Sequence, residues 1–133
     1  MTGVIVAGHG KYGSGITSML ELVVGSLENY EFIDFQQGES QEDLEADFLR
    51  KINNLKLCDR ILIMTDIMGG SPFKTAVTYA LGDEKLEVIS GTNIPMLLEL
   101  LFGRMEKEDC EELIQRALDT GKEQIIRLNK KLL

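Results

Sequence analysis

Mainly apolar stretches alternate along this chain with stretches that are apolar on one side only. Residues 3–8, 30–35, 60–65 and 86–90 are short runs dominated by β-branched and other apolar side chains. Runs of this length with apolar residues on both faces are typical of strands buried in a parallel sheet. We therefore predict four strands over these ranges.

Between these runs, apolar residues recur at helical spacing. Residues 16–27 are apolar at every third or fourth position, which places those side chains on one face of a helix. Ser14, Ser40, Ser71 and Asn93 stand where N-caps are expected, and Pro72 falls at a first helical position. The pattern predicts five helices: one over 16–27, one over 40–55, one opening at 71, one opening at 93 and one over 108–120.

Strand and helix alternate four times, which indicates βαβ units with helices on both faces of a parallel sheet. We predict an α/β fold, a three-layer, doubly wound, mainly parallel sheet with strand order 2-1-3-4. The 133 residues suit a single domain over 1–133. A short apolar run at 125–128 is predicted to be a C-terminal edge strand, which a dimer could exchange.

The only histidine of the chain comes directly after the first predicted strand. His9 lies between two glycines at the carboxyl end of that strand, and Asp66 follows the third strand in the same way. In the order 2-1-3-4 these strands are neighbours, roughly 4.8 Å apart, at the point where the strand order reverses. We therefore expect His9 and Asp66 to meet. A carboxylate that accepts a hydrogen bond from the N–H of one ring nitrogen leaves the other nitrogen free as a nucleophile.

A glycine-rich helix start completes the predicted site. Gly69, Gly70 and Ser71 lead from the third strand into the third helix, at the same edge of the sheet. A helix N-terminus offers N–H groups and a partial positive charge, which suit a phosphoryl group. These residues together predict a histidine that carries a phosphoryl group. The structural alternative is a surface histidine beside an ordinary tight turn.

Charge and composition limit the classes of partner and cofactor that we expect this chain to bind. The net charge of −8 argues against nucleic acids and anionic membrane surfaces, which bind basic patches. No run of about 18 apolar residues is present, so no direct membrane insertion is expected. Cys58 and Cys110 stand far apart without metal-ligand spacing, so we expect no metal or cofactor and a cytoplasmic location.

A nucleotide-binding module is the main alternative from the residues themselves. Gly8, Gly10 and Gly13 match the spacing of the dinucleotide fingerprint after a strand. Asp34 stands at the end of the second strand, where a ribose-binding acid is expected. The histidine between the first two glycines and the short length of the chain weigh against this alternative.

Four motifs, each at or near a strand end, resemble those of one family. They are Gly8-His9-Gly10, Ile33-Asp34-Phe35, Asp66-x-x-Gly69-Gly70-Ser71-Pro72-Phe73 and Gly91-x-Asn93-Ile94-Pro95-Met96-Leu97. Together they resemble enzyme IIA of the mannose/fructose/sorbose type, a cytoplasmic phosphocarrier of the bacterial phosphoenolpyruvate-dependent sugar phosphotransferase system. The resemblance extends from residue 3 to about residue 128.

The resemblance implies a role for each part of the predicted site. His9 would accept a phosphoryl group from HPr and pass it to the IIB component, which serves a membrane IIC/IID complex. Asp66 would orient His9, and Ser71 would face the phosphoryl group at the helix start. The family usually forms homodimers in which the C-terminal strand joins the partner's sheet. The chain ends near Leu133, so we expect a free IIA component and not a fused IIA–IIB polypeptide.

Three further points concern the rim of the predicted site, a related family and the transported sugar. Ile67 and Met68 stand where better-known members have a tryptophan, so the rim of the site and its contact with IIB are expected to differ. The phosphocarrier subunit of dihydroxyacetone kinase is a related alternative, although the segments around Ser71 and Asn93 fit the sugar system better. The transported sugar is not encoded here, because specificity is expected to lie in the membrane components.

Overall fold

The computed structural model of the chain describes residues 1–106 and 109–132. By its internal contacts the chain divides into two compact units, the first spanning Met1–Thr92 and the second beginning at Asn93. The first unit contains every strand found in the described residues and both residues of the predicted His9–Asp66 pair. A single domain over 1–133 stays a prediction.

The first unit is built on a four-stranded parallel sheet. The strands are β1 (Thr2–His9), β2 (Tyr30–Phe35), β3 (Arg60–Thr65) and β4 (Leu86–Ile89). Their order is β2-β1-β3-β4, so the predicted order 2-1-3-4 is confirmed. Ala7 on the central strand β1 pairs with Ile33 on one side and Thr65 on the other.

Three helices cover this sheet: α1 (Tyr12–Val24), α2 (Gln41–Asn54) and α3 (Ser71–Leu81). Right-handed crossovers from β1 out to β2 and from β3 out to β4 run in opposite directions, so α1 and α3 lie on opposite faces. Ile5, Ile63 and Phe48 belong to the core formed by one face of the sheet with α2 and α3. This arrangement is the predicted three-layer α/β fold.

Helix α1 differs from its prediction at both ends. It begins at Tyr12, four residues before its predicted start at residue 16, and it ends at Val24, before Gly25. Gly25 has a φ of 90°, a left-handed conformation that ends a helix and leaves Leu27 outside it. Ser14 is not the N-cap, because Lys11 holds that position.

The N-terminus of α1 is capped instead by an acid from the neighbouring strand. The backbone N–H of Ser14 donates to Oδ1 of Asp34 at 2.8 Å, and the Ser14 hydroxyl donates to Oδ2 at 2.6 Å. A carboxylate at this position satisfies first-turn N–H groups and interacts favourably with the helix dipole. Asp34 therefore fixes α1 to β2 close to the carboxyl end of the sheet.

We expect Asp34→Ala to lower the free energy of unfolding by about 1–2 kcal/mol, because the α1 terminus loses its carboxylate cap. Chemical denaturation followed by circular dichroism measures the change. Ser14→Ala removes only the hydroxyl bond and should lower stability by less, since the backbone N–H still reaches Asp34. An unchanged denaturation midpoint for Asp34→Ala would contradict the capping role.

The second unit contains α4 (Ile94–Gly103), α5 (Cys110–Glu123) and a short 3₁₀ turn (Lys130–Leu132). Asn93 is the N-cap of α4 as predicted, because its Oδ1 accepts from the Met96 N–H at 3.1 Å. Its side-chain amide also donates to the Gly121 carbonyl on α5 at 2.9 Å. The predicted start of the fifth helix at 108 lies outside the described residues, and α5 extends three residues beyond the predicted end.

The predicted C-terminal edge strand is wrong for the single chain. Residues 125–129 have no regular secondary structure, and Ile125, Ile126 and Leu128 are exposed. A strand exists only where a neighbouring strand supplies backbone hydrogen bonds, and no strand of the described residues pairs with this segment. Its exchange with a second copy stays a prediction. Among the described residues, every helix is too short or too polar to cross a bilayer.

Candidate active site

The two predicted site residues lie where β1 and β3 end. The ladder between these strands stops at the pair Ala7–Thr65, and His9 and Asp66 extend beyond it. His9 is still supported from the other side by Phe35 of β2, whose carbonyl also accepts the N–H of Gly10 at 2.7 Å. The strand order therefore brings together two residues that are 57 positions apart in sequence.

Asp66 contacts His9 twice. Its Oδ2 lies 2.8 Å from the ring Nδ1 and accepts the backbone N–H of the same histidine, also at 2.8 Å. Its Oδ1 accepts the N–H of Ile67 at 2.8 Å, so both oxygens are engaged. Because an ionised carboxylate only accepts hydrogen bonds, the contact with Asp66 selects the tautomer of the neutral imidazole that has its proton on Nδ1 and its lone pair on Nε2.

The same contacts keep Asp66 ionised. Burial alone would raise the pKa of this carboxyl group, but the hydrogen bonds from the His9 N–H, the His9 ring and the Ile67 N–H outweigh burial and lower it. The Asp66 side chain is 11% exposed, whereas that of His9 is 43% exposed. The site thus pairs a fixed negative charge with an imidazole that solvent and partners can reach.

The free side of the imidazole faces the start of α3. A Cβ atom built on Gly70 would lie 2.6 Å from Cε1 and 3.2 Å from Nε2 of His9. Gly70 is also the N-cap of α3, so the prediction of Ser71 as N-cap is wrong by one residue. Gly70 has the extended conformation of a cap and its carbonyl accepts the Lys74 N–H, which makes Ser71 the first helical residue.

The start of α3 is suited to an anion. First-turn N–H groups have no intrahelical partner, and Pro72 has no N–H, which leaves those of Ser71 and Phe73 as donors. Gly69 has a φ of 85°, a conformation that favours glycine and turns the loop into the helix.

Two exposed apolar side chains border this site. Ile67 is 58% exposed and Met68 is 74% exposed, directly after Asp66. These are the residues that stand in place of the tryptophan expected from the resemblance. A flexible, unbranched methionine can adapt to a partner surface, as Met does at many binding sites.

The acid that the nucleotide-binding alternative needs to bind a ribose is already engaged within the fold. Both oxygens of Asp34 are engaged by Ser14, so this carboxylate already serves as a helix cap. Gly13 is explained by packing, because a Cβ atom there would lie 2.6 Å from the Ile33 carbonyl oxygen. In the described part of the chain, no three His, Cys, Asp or Glu side chains are grouped as metal ligands.

Tyr12 was not among the predicted site residues. Its ring occupies the space beside Gly8, where a Cβ atom would lie 2.5 Å from Cδ1. Its hydroxyl donates to the Thr92 carbonyl at 2.7 Å. The available signal was an aromatic residue inside a glycine-rich segment, which is unusual for a phosphate loop but typical of a packed helix start.

The comparisons with known proteins agree on one family. The family model described as "PTS system fructose IIA component", where PTS is the phosphotransferase system, matches residues 3–118. The mannose-specific EIIAB component of Escherichia coli K12 is 36% identical over 128 residues, which is 96% of this chain and 40% of the relative. The fructose-specific EIIA component of Bacillus subtilis 168 is 27% identical over 101 residues, 76% of this chain and 69% of the relative.

A solved structure shares the same fold. The phosphotransferase system component EIIA from Streptococcus agalactiae superposes with a TM-score of 0.87 at 31% identity, covering 96% of this chain and 97% of its own. The mannose/sorbose-specific IIA subunit from Enterococcus faecalis has a TM-score of 0.85 at 18% identity, over 96% of this chain and 95% of its own, which supports the fold alone. The chain spans 40% of the length of the E. coli EIIAB relative.

Proposed function

Because the chain belongs to the family of phosphotransferase system IIA components of the mannose/fructose/sorbose type, we propose that it is a phosphocarrier acting through His9. In this proposal His9 accepts a phosphoryl group from HPr and passes it to a IIB component. That component then serves sugar uptake through a membrane IIC/IID complex. The protein works in the cytoplasm and forms a homodimer.

The observation that carries the proposal is the orientation of the His9 ring. Asp66 accepts a hydrogen bond from the Nδ1–H of His9, and Nε2 faces the N-cap of α3. One nitrogen is therefore held by a carboxylate, while the other presents a lone pair beside a helix N-terminus. This is the arrangement that a nucleophile for phosphorus needs, and the exposed imidazole leaves room for an incoming protein.

The proposed transfer conserves the phosphoryl group at each step. The Nε2 lone pair attacks phosphorus, an N–P bond forms, and the bond from phosphorus to the donor group of HPr breaks with its electron pair staying on HPr. Asp66 stabilises the positive charge that develops on the imidazole, and the α3 N–H groups stabilise the phosphoryl oxygens. In the second step the acceptor on IIB attacks phosphorus, and His9 regains its Nε2 lone pair.

The test is to incubate the protein with phosphoenolpyruvate, enzyme I and HPr and to identify the labelled group. His9 is the only histidine of the chain, so any phosphohistidine found in this protein is His9. We expect an acid-labile, alkali-stable label that co-migrates with Nε2-phosphohistidine, because Nδ1 is occupied by Asp66. A label on Nδ1, on another residue type, or no label at all would overturn the proposal.

The second half of the test follows the phosphoryl group onward. The labelled protein should lose its label on addition of a IIB component of the mannose type. Transfer to a dihydroxyacetone kinase subunit in place of IIB would support the related alternative named above. Label that reaches neither acceptor would contradict the role of phosphocarrier.

A further inference from the structure

The ladder that joins β1 to β3 does not extend to the His9–Asp66 pair. It ends at Ala7 and Thr65, so the distance between the two functional side chains depends on contacts outside the sheet. Asp66 itself supplies one such contact through the His9 N–H. A second connection runs through Tyr12 and has no part in the chemistry proposed above.

Tyr12 packs directly on the backbone that precedes His9. A Cβ atom on Gly8 would lie 2.5 Å from Cδ1, 2.7 Å from Cγ and 2.8 Å from Cβ of Tyr12. The ring therefore fills the space that a side chain at position 8 would use. Tyr12 is also the first residue of α1, so the ring joins that helix to the end of β1.

The hydroxyl of Tyr12 extends this connection to the β3 side. It donates to the carbonyl of Thr92 at 2.7 Å, across 80 residues of sequence. The N–H of Thr92 in turn donates to the carbonyl of Thr65 at 3.1 Å, and Thr65 directly precedes Asp66. Two hydrogen bonds and one packed ring thus link the residue before His9 to the residue before Asp66.

We propose that Tyr12 is a positioning residue that holds His9 and Asp66 in register through its hydrogen bond to the Thr92 carbonyl. The proposal rests on the proposed function of His9 and deepens it. Tyr12 does not touch the reacting nitrogen; it acts through the backbone of Gly8 and through Thr65. Loss of its hydroxyl should loosen the His9–Asp66 pair without removing either member.

The surroundings of the Tyr12 hydroxyl keep it protonated, so that it can donate a hydrogen bond. Burial, together with the negative charge of Asp66, raises the pKa of Tyr12 to about 12, so the hydroxyl stays protonated at neutral pH. The link to Thr92 therefore persists across the pH range in which His9 would act.

The chain supplies a matched control. Each of its three tyrosines, Tyr12, Tyr30 and Tyr79, makes a hydrogen bond through its hydroxyl. The hydroxyl of Tyr79 also donates to a backbone carbonyl, that of Glu45 at 3.0 Å, but this bond joins α3 to α2. Tyr79→Phe therefore removes a chemically equivalent bond from a different part of the first unit.

The experiment compares Tyr12→Phe, Tyr79→Phe and the wild type by two measurements. The first is the single-turnover rate of phosphoryl acceptance from phosphorylated HPr. The second is the ¹⁵N spectrum of the His9 ring in the unphosphorylated protein, which reports the tautomer. For Tyr12→Phe we expect a rate about fivefold lower and a mixture of tautomers, since an interaction worth a typical hydrogen bond is lost. Tyr79→Phe should match the wild type in both.

The outcomes separate this proposal from the proposed function. If the wild type is labelled on His9 but Tyr12→Phe matches it in rate and tautomer, Tyr12 has no positioning role and the function stands. If the wild type is not labelled, the function fails, and the tautomer measurement still decides the role of Tyr12. Equal effects in both variants would overturn the proposal by indicating a general loss of stability. Tyr12→Leu, which also removes the ring beside Gly8, should have a larger effect than Tyr12→Phe.

Discussion

The Gly70→Ala variant should fold normally and accept phosphoryl groups about 100-fold more slowly than the wild type. A methyl group on Gly70 would overlap the His9 ring, with Cε1 at 2.6 Å and Nε2 at 3.2 Å. The ring is the end of an exposed side chain and can swing away, so the fold is preserved. The displaced imidazole loses its contact with Asp66 and its approach to α3, and a misplacement of about 1 Å commonly lowers rates 100-fold.

The backbone at Gly70 gives no other reason for glycine. Its φ of −75° and ψ of 168° are accessible to alanine, so the substitution introduces no backbone strain. Gly82→Ala is the matched control, because Gly82 caps the opposite end of α3 and a Cβ atom there meets only the Tyr79 carbonyl at 3.8 Å. The two variants should unfold at similar denaturant concentrations, and only Gly70→Ala should be slow. Normal transfer by Gly70→Ala would show that His9 does not react in the observed orientation.

Asp66→Asn should leave the sheet intact and lower the transfer rate by about 100-fold or more. An amide cannot reproduce the contacts of both carboxylate oxygens. If its oxygen faces His9, its NH₂ group meets the N–H of Ile67; if it faces Ile67, the NH₂ group donates towards Nδ1 and stabilises the tautomer with the proton on Nε2. In either orientation the variant also lacks the negative charge that stabilises the phosphorylated ring.

The rate measurement for Asp66→Asn is paired with a pH series of stability. Because the pKa of Asp66 is lowered on folding, its ionised form stabilises the native state above the ordinary carboxyl pKa of about 4. This contribution is lost as the pH falls through the lowered pKa of the folded state. The difference in unfolding free energy between wild type and variant should therefore shrink as the pH falls below about 4. Equal transfer rates for the two proteins would rule out an orienting role for Asp66.

Much of the fold follows from local patterns in the sequence. The apolar runs at 30–35 and 60–65 match β2 and β3 in full, and the N-caps at Ser40 and Asn93 form as the residue types predict. These features depend on neighbours a few residues apart, whose interactions are much the same in any fold. The strand order 2-1-3-4 was predicted by choosing among the few topologies that right-handed crossovers allow, without knowledge of side-chain contacts.

Two of the wrong predictions concern hydrogen-bond partners that lie far away in sequence. Ser14 looked like a cap, but Asp34 from the next strand supplies the carboxylate, and Ser14 is its donor. Residues 125–128 have the composition of a strand, yet no strand of the described residues pairs with them. Hydrogen-bond partners of this kind are chosen by the packing of whole elements, which a local pattern does not contain.

The sequence by itself determined which residues we propose to carry the chemistry: a single histidine between glycines, an acid after the third strand and a glycine-rich helix start. Only the tertiary structure decided how they meet. In the tertiary structure the contact with Asp66 favours the proton on Nδ1, Nε2 faces Gly70, and the Tyr12 hydroxyl donates a hydrogen bond to Thr92. The reason is geometric: residue types and strand order bring groups to the same edge, but the direction of a ring depends on atoms that only the packed backbone brings within 3 Å.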